Sequence, residues 1–318
     1  MKQYAIGIDV GGTNTKYGIV DSDGKIVKQG DIRTDEYAEV GLFIEELYKA
    51  LSQLIDSVGK ENIKGIGIGA PNGNFYNGTI EYAPNLKWKG IIPLAKLVSE
   101  KFGLPAALTN DANAAAIGEM KYGAARGMKD FIVITLGTGF GSGIVANGQL
   151  ILGHDGFAGE LGHVVVIPGG RLHEGTGMHG SLEVYASANG IRMTATELLE
   201  KNPDEESMLK GYEKKEINSK VIYEAAIKGD KIAKDVFEYT GKILGQALSN
   251  FVMFSSPEAI ILFGGVTKAG ELIMKPTKES MEKNLLPIFK NKVKLLFSEL
   301  RESDAAILGA SALVWEMK

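Results

Sequence analysis

The chain has 318 residues, more than one hydrophobic core comfortably serves, so two domains are expected. Apolar residues make up 44% of it, the formal net charge is -4, and cysteine is absent. Disulfides and thiolate metal sites are therefore excluded, and nothing offers a basic surface to nucleic acid or an anionic membrane. No apolar run reaches the roughly 18 residues needed to span a bilayer. The N-terminus opens on a strand pattern rather than a basic segment followed by a long apolar one, so a cytoplasmic protein is expected. The glycosylation-type triplet Asn77-Gly78-Thr79 is then a chance match.

In chain order, "YAIGIDVGGTNTKYGIVDSDGKIV" reads as strand, Gly-rich turn, strand, Asp-Gly turn, strand. Phe43, Leu47, Leu51, Leu54 and Val58 recur at helical spacing and predict an amphipathic helix. Ile63–Ala70 predicts a short buried strand. "PLAKLVSEKFG" predicts a helix capped by Gly103, and "PAALTN" another strand. The pair Asn110-Asp111 then stands at a strand-to-helix junction, ahead of an alanine-rich helix.

"FIVITLGTGFGSGIVANGQLIL" (residues 131–152) repeats the opening grammar of strand, Gly-rich turn, strand, tight turn, strand. Laid over the first copy, Asp9-Val10-Gly11-Gly12 meets Thr135-Leu136-Gly137-Thr138. Two copies of one hairpin unit, each starting a β/α region, point to duplicated domains. The mixed-sign run Tyr212–Glu216 reads as solvated surface. Beyond about Asn218 the chain is mainly helical. A broad apolar stripe (Val236-Phe237, Ile243-Leu244, Ala247-Leu248, Phe251-Val252) marks a long helix with Pro257 just past its end. "EAIILFGGV" and "KVKLLFSEL" are strands, and "DAAILGASALVWEM" is a closing helix.

Four stretches carry chemistry. "DVGGTNTK" (Asp9–Lys16) is a Gly-rich turn between strands whose N–H groups can cradle phosphate, without the Walker A spacing. Asp9, at the strand end, can hold Mg²⁺ through water. "LGTGFGSG" has Ser142 where a Rossmann fingerprint needs its last glycine, so a dinucleotide site is disfavoured. Thr138 and Gly139 can instead meet the β- and γ-phosphates. "LFGGV" ends a strand in Gly264-Gly265, a flat surface suited to adenosine. In "GFAGELGHVVV", Glu160 and His163 can point to one side, and "GSLEVYAS" adds Glu183 at a helix start. With Asn110-Asp111 they make a polar set suited to a polyol.

Taken in order, "GIDVGGTNTK", "APNLKWKG", "TNDANAAAIGE", "LGTGFGSGIVANGQL", "GELGHVVV" and "ILFGGV" resemble the ROK sugar kinases of the hexokinase–actin-like fold, over essentially the whole chain. The resemblance implies an α/β protein of two duplicated actin/hexokinase-like (ribonuclease H-like) domains with a ligand cleft between them. The expected division is residues 1–115 plus 302–318 and residues 116–301, with the boundary on the helix after Asp111. It implies phosphorylation of a hexose by ATP with Mg²⁺, glucose first. N-acetylmannosamine, N-acetylglucosamine, fructose, mannose and allose stay open as acceptors, and a non-enzymatic sugar sensor is the alternative class.

By the same resemblance Asp111 is the general base, and Asn110, Glu160, His163 and Glu183 bind sugar. Asp9, Gly11, Gly12, Thr13 and Asn14 form the first phosphate loop, with Asp9 near Mg²⁺. Thr138 and Gly139 form the second loop, Gly264 and Gly265 the adenosine turn, and a homodimer is implied. Many members bind zinc through three cysteines and the histidine equivalent to His163. Here Glu174, Thr176 and Ser181 replace those cysteines, so that zinc site cannot form; His173 and His179 read as loop histidines, with a different metal site as the alternative. The phosphate strand begins by Tyr4, leaving no room before it for the helix-turn-helix of the repressor branch.

Overall fold

The computed structural model describes residues 3–316. Three antiparallel strands open it: β1 (Tyr4–Val10), β2 (Asn14–Asp21) and β3 (Ile26–Arg33). Gly24 closes the second turn at φ 86°, and Asp21 Oδ1 accepts from the N–H groups of Asp23 and Lys25 at 3.0 and 2.9 Å. Helix α1 (Val40–Val58) buries Phe43, Leu47 and Leu51, as the spacing requires. Strand β4 (Ile63–Gly69) follows, then the short strands β5 (Gly73–Asn74), β6 (Thr79–Glu81) and β7 (Ile91–Ile92), which form a small sheet of their own. Helix α2 (Leu94–Phe102) ends at Gly103 in the left-handed region, whose N–H donates to Ser99 O at 2.8 Å. Strand β8 (Ala106–Thr109) leads into α3 (Asp111–Tyr122).

The second hairpin is β9 (Phe131–Leu136), β10 (Phe140–Ala146) and β11 (Gln149–Leu150). Its last turn uses Asn147 and Gly148 at φ 53° and 75°. A two-stranded ribbon, β12 (Leu172–His173) and β13 (Met178–His179), precedes the helices α4 (Glu183–Ala186), α5 (Ala188–Lys201), α6 (Ser219–Ile227) and α7 (Lys231–Ser255). The long α7 is capped by Asp230, whose Oδ1 accepts from Ala233 N–H at 2.9 Å, and stops at Ser256 in the left-handed region. Strand β14 (Ala259–Phe263), α8 (Glu271–Asn284), β15 (Lys294–Phe297) and α9 (Ala305–Glu316) complete the fold. Met317, which the sequence assigns to the closing helix, lies outside the described residues.

Both five-stranded sheets have one topology. The first runs β3-β2-β1-β4-β8 and the second β11-β10-β9-β14-β15, so each is a hairpin unit extended by two parallel strands. This is the duplication expected from the repeated sequence grammar. The chain forms two compact units. One comprises the chain up to Lys129, Gly143–Gly159 and the chain from Ser298 on; the other comprises Asp130–Ser142 and Glu160–Phe297.

In the first unit, alternation decides what each face of the sheet does. Ile6, Ile8, Ile66 and Ile68 enter the core with Phe43, Leu47 and Leu51 of α1. Full burial of such side chains contributes roughly 1.5–3 kcal/mol each. The intervening Gly7 and Gly67 face α9, and a Cβ on either would overlap the carbonyl oxygen of Ile307 or Ala310. Among the described residues no helix is long and apolar enough to cross a membrane.

Candidate functional site

Parallel strands carry their ligands at their carboxyl ends, and two carboxylates lie there in the first unit. The register pairs Asp9 with Gly69 and Gly69 with Thr109, so β1, β4 and β8 end side by side. Asn110 follows as the N-cap of α3, its Oδ1 accepting from Asn113 N–H at 2.7 Å. Asp111 is then the first helical residue, and its Oδ1 accepts from Ala112 N–H at 2.8 Å. A Cβ on Gly69 would be in ordinary contact, 3.4 Å from the Ala114 Cβ, 3.7 Å from Asp9 Oδ1 and 3.9 Å from the Asp111 Cα, so this glycine lies beside both acids.

Desolvation raises the pKa of both acids. For Asp9 it acts together with repulsion from Asp111, partly offset by Lys16 across the hairpin, and brings the carboxyl to about 6. For Asp111 desolvation outweighs its backbone hydrogen bonds. Water still reaches the Asp111 side chain, which is exposed, so the protein mass around it supplies the desolvation.

A consequence for stability follows. Between the ordinary Asp value of 3.8 and about 6, the folded chain keeps a proton on Asp9 that the unfolded chain releases. Stability therefore falls as pH rises through that window, and the cost is complete above it. Asp9→Asn is expected to melt above the parent chain at pH 8 in chelator, with the difference vanishing below about pH 4. Melting temperatures taken across pH check this.

The first Gly-rich turn joins β1 to β2. Gly11 N–H donates to Asn14 O at 3.0 Å, and Thr13 O accepts from Thr34 N–H at 2.8 Å. Gly12 lies against the Asn85 carbonyl, and Thr13 and Asn14 are exposed.

The remaining sequence-selected residues belong to the second unit. In the turn between β9 and β10, Thr138 is exposed and Gly137 N–H donates to Gly139 O at 3.0 Å. Glu183 opens α4, and its Oε2 accepts from Phe140 N–H at 2.7 Å. A Cβ on Gly139 would stand 2.8 Å from that same oxygen. Glu160 precedes a single 3₁₀ turn (Leu161–His163), which brings its Oε2 to 3.8 Å from His163 Nε2. Glu160, His163, Glu183 and the second turn thus lie in one unit, and Asp9, the first turn, Asn110 and Asp111 in the other.

At the end of β14, Gly264 turns the chain at φ 107° and packs on Leu136. Gly265 lines a cavity of about 490 Å³ together with Tyr223, Glu224, Phe237, Lys220 and Lys268. The volume suits a small organic ligand, Tyr223 offers an aromatic surface, and two lysines offer cations.

A family model described as the ROK family matches residues 5–317. This chain belongs to the ROK family. It is 36% identical to a glucokinase of Halalkalibacterium halodurans over 98% of this chain and 95% of that protein. It is 34% identical to a glucokinase of Thermotoga maritima, over 98% and 97%. The structure of a ROK family glucokinase from Streptomyces griseus in complex with glucose and AMPPNP aligns with a TM-score of 0.81 at 32% identity, covering 99% of this chain and all of that one. The two-domain, actin/hexokinase-like fold of ROK sugar kinases is the fold of this chain.

This ROK protein orders the segment around residues 169–182 without cysteine. Among the described residues, no group of three or more His, Cys, Asp or Glu side chains is placed to hold a metal ion. Arg171 does the anchoring, a role its sequence neighbourhood did not reveal. Its side chain is 7% exposed and forms a two-pronged pair with Glu197, Nε to Oε1 at 2.7 Å and Nη2 to Oε2 at 2.9 Å. Nη1 donates to Val184 O at 2.8 Å and Nη2 to Thr194 Oγ1 at 3.0 Å. The guanidinium lies 4.5 Å from the centre of the Tyr185 ring, and the Tyr185 hydroxyl accepts from Arg171 N–H at 2.9 Å. His173 and His179, read from sequence as loop histidines, sit in the β12–β13 ribbon.

Proposed function

We propose that this chain transfers the γ-phosphoryl group of ATP to the 6-hydroxyl of a hexose, glucose first, with Asp111 as general base. That it is an ATP-dependent sugar kinase rests on its membership of the ROK family and on glucokinase relatives at 36% and 34% identity. The acceptor sugar and the residue roles are our reading.

The observation that carries it is the setting of Asp111. The side chain is open to solvent, fixed by Ala112 N–H at the first turn of a helix, and its pKa is raised by desolvation. A base works best when its pKa approaches the working pH and its position is fixed. Phosphoryl transfer asks the protein chiefly for positioning and charge stabilisation. Asp111 takes the proton as the sugar oxygen attacks. Asn110, Glu160, His163 and Glu183 bind the other hydroxyls. N–H groups of the turns at Gly12, Thr13, Asn14, Thr138 and Gly139 receive the phosphates, and Gly11, its N–H bonded to Asn14 O, shapes the first turn. Adenosine occupies the cavity at Gly265, with Gly264 shaping the turn.

The acid pair fits a divalent cation, since a positive charge beside Asp9 relieves both the repulsion from Asp111 and the desolvation that raise its pKa. Asp9 would hold Mg²⁺ through water. When bound, the ion neutralises charge on the polyphosphate.

Release of ADP, coupled to a reporter and measured across glucose, mannose, fructose, allose, N-acetylglucosamine and N-acetylmannosamine, tests the reading. Turnover is expected to be highest on glucose, and no turnover on any hexose removes the kinase assignment. Glu183→Gln is expected to raise the sugar KM about tenfold through loss of a charged acceptor, leaving kcat within a factor of about two. A fall confined to kcat would contradict a binding role.

A further inference from the structure

His173 is used by none of the roles above, yet it joins two of the residues assigned to sugar. β12 presents it, and its Nε2 lies 2.9 Å from Glu183 Oε1. Both side chains are less than one-fifth exposed, at 18% and 19%. Its Nδ1 lies 3.1 Å from Thr176 Oγ1. Its ring stacks on His163, with centroids 5.5 Å apart and planes 18° from parallel.

A carboxylate only accepts, so Nε2 carries the proton toward Glu183. In the neutral ring Nδ1 then accepts from the Thr176 hydroxyl. Glu183 is consequently gripped at both oxygens, Oε1 by His173 and Oε2 by Phe140 N–H. Each oxygen keeps a second lone pair for another donor.

We infer that His173 is a positioning residue for sugar binding, setting the plane of Glu183 by one hydrogen bond and backing the His163 ring by stacking. The inference rests on the sugar-binding reading of Glu183 and His163. Glu183 sets the tautomer, and Thr176, at one of the positions where the zinc-binding pattern has cysteine, supplies the hydroxyl that bonds Nδ1 and holds the ring in that orientation. An acceptor held in its bound orientation loses less freedom when sugar arrives, so the effect falls on affinity rather than on the chemical step.

Three variants separate the contributions. His173→Phe keeps a flat ring on His163 and removes the donor. His173→Gln places an amide N–H where Nε2 was. Thr176→Val removes the hydroxyl that bonds Nδ1 and steadies the ring. His173→Phe is expected to raise the glucose KM about tenfold, with kcat and the ATP KM within about twofold. His173→Gln is expected to recover most of the loss, and Thr176→Val to raise the KM by about threefold. In a Glu183→Gln background, His173→Phe is expected to add less than about twofold, because the partner charge is gone.

The parent glucose KM retained in His173→Phe overturns the inference. So does an equal loss in the Phe and Gln variants accompanied by equal falls in melting temperature, which marks a purely structural ring. Should the Phe variant not fold, the Gln and Val pair decides: an unchanged KM in Thr176→Val with no retention of affinity in His173→Gln overturns it. Parent protein inactive on every hexose removes the kinase reading and this inference with it. Parent protein active, with a KM insensitive to His173, removes this inference alone.

Discussion

Asp111→Asn is expected to abolish sugar phosphorylation, lowering kcat by about 10²–10⁴-fold, while glucose binding stays near that of the parent. The substitution is nearly isosteric. An Asn Oδ1 can still accept from Ala112 N–H, so α3 keeps its first turn and the side chain keeps its orientation. What disappears is a group able to take a proton. Sugar affinity is measured by calorimetry without nucleotide, and turnover by ADP release. The parent rate should also fall on the acid side at a pH above the ordinary carboxylate range, because desolvation raises the Asp111 pKa. The unprotonated form is the base, so activity is lost as pH drops through that raised value. In Asp111→Asn the residual rate should lose the Asp111 part of this limb and keep what protonation of Asp9 contributes. Near-parental turnover in the variant would remove the assignment of the base.

Much of the fold was legible because its long elements obey simple periods. The alternation in "IKGIGIGA" put Ile66 and Ile68 on the core face and Gly65 and Gly67 on the face toward α9, and the two Gly-rich hairpins announced two sheets of one topology. The ribbon β12–β13 was not legible, since two-residue strands carry no periodicity. Asp9 and Asp111 each read as an acid at a strand end. The repulsion that Asp111 exerts on Asp9 depends on β4 inserting between β1 and β8 with Gly69 at the shared register, which is a property of strand order rather than of any local pattern. His173 and Glu183 are ten residues apart across a turn and a helix start. Arg171, amid glycines and polar residues, has the sequence context of an exposed side chain. Its burial is decided by partners contributed by α4 and α5, beyond the reach of local spacing.

The loop that lacks cysteine makes the second large prediction. Arg171→Met is expected to destabilise the chain by about 3 kcal/mol, at the lower end for breaking a buried ion pair. The lower end applies because Glu197 is 40% exposed and can recover hydration when its partner goes, whereas the Val184 carbonyl and the Thr194 hydroxyl lose their donor. For a unit of this size the fall in melting temperature is about 6–12 °C. Arg171→Lys keeps the charge but not the planar fork that meets both Glu197 oxygens, so an intermediate loss is expected. Glu197→Gln keeps acceptance at one oxygen and should cost less than about 1.5 kcal/mol. With Mg²⁺ kept in excess, a zinc-selective chelator should leave the parent melting temperature unchanged, because the segment is held by Arg171 and by the backbone bonds of Val166 and Leu182 N–H to Gly180 O and Val164 O, at 2.8 and 2.9 Å. Melting of Arg171→Met within about 1 °C of the parent, or a large fall in the parent on zinc-selective chelation, would mean that the loop is ordered by something other than this guanidinium.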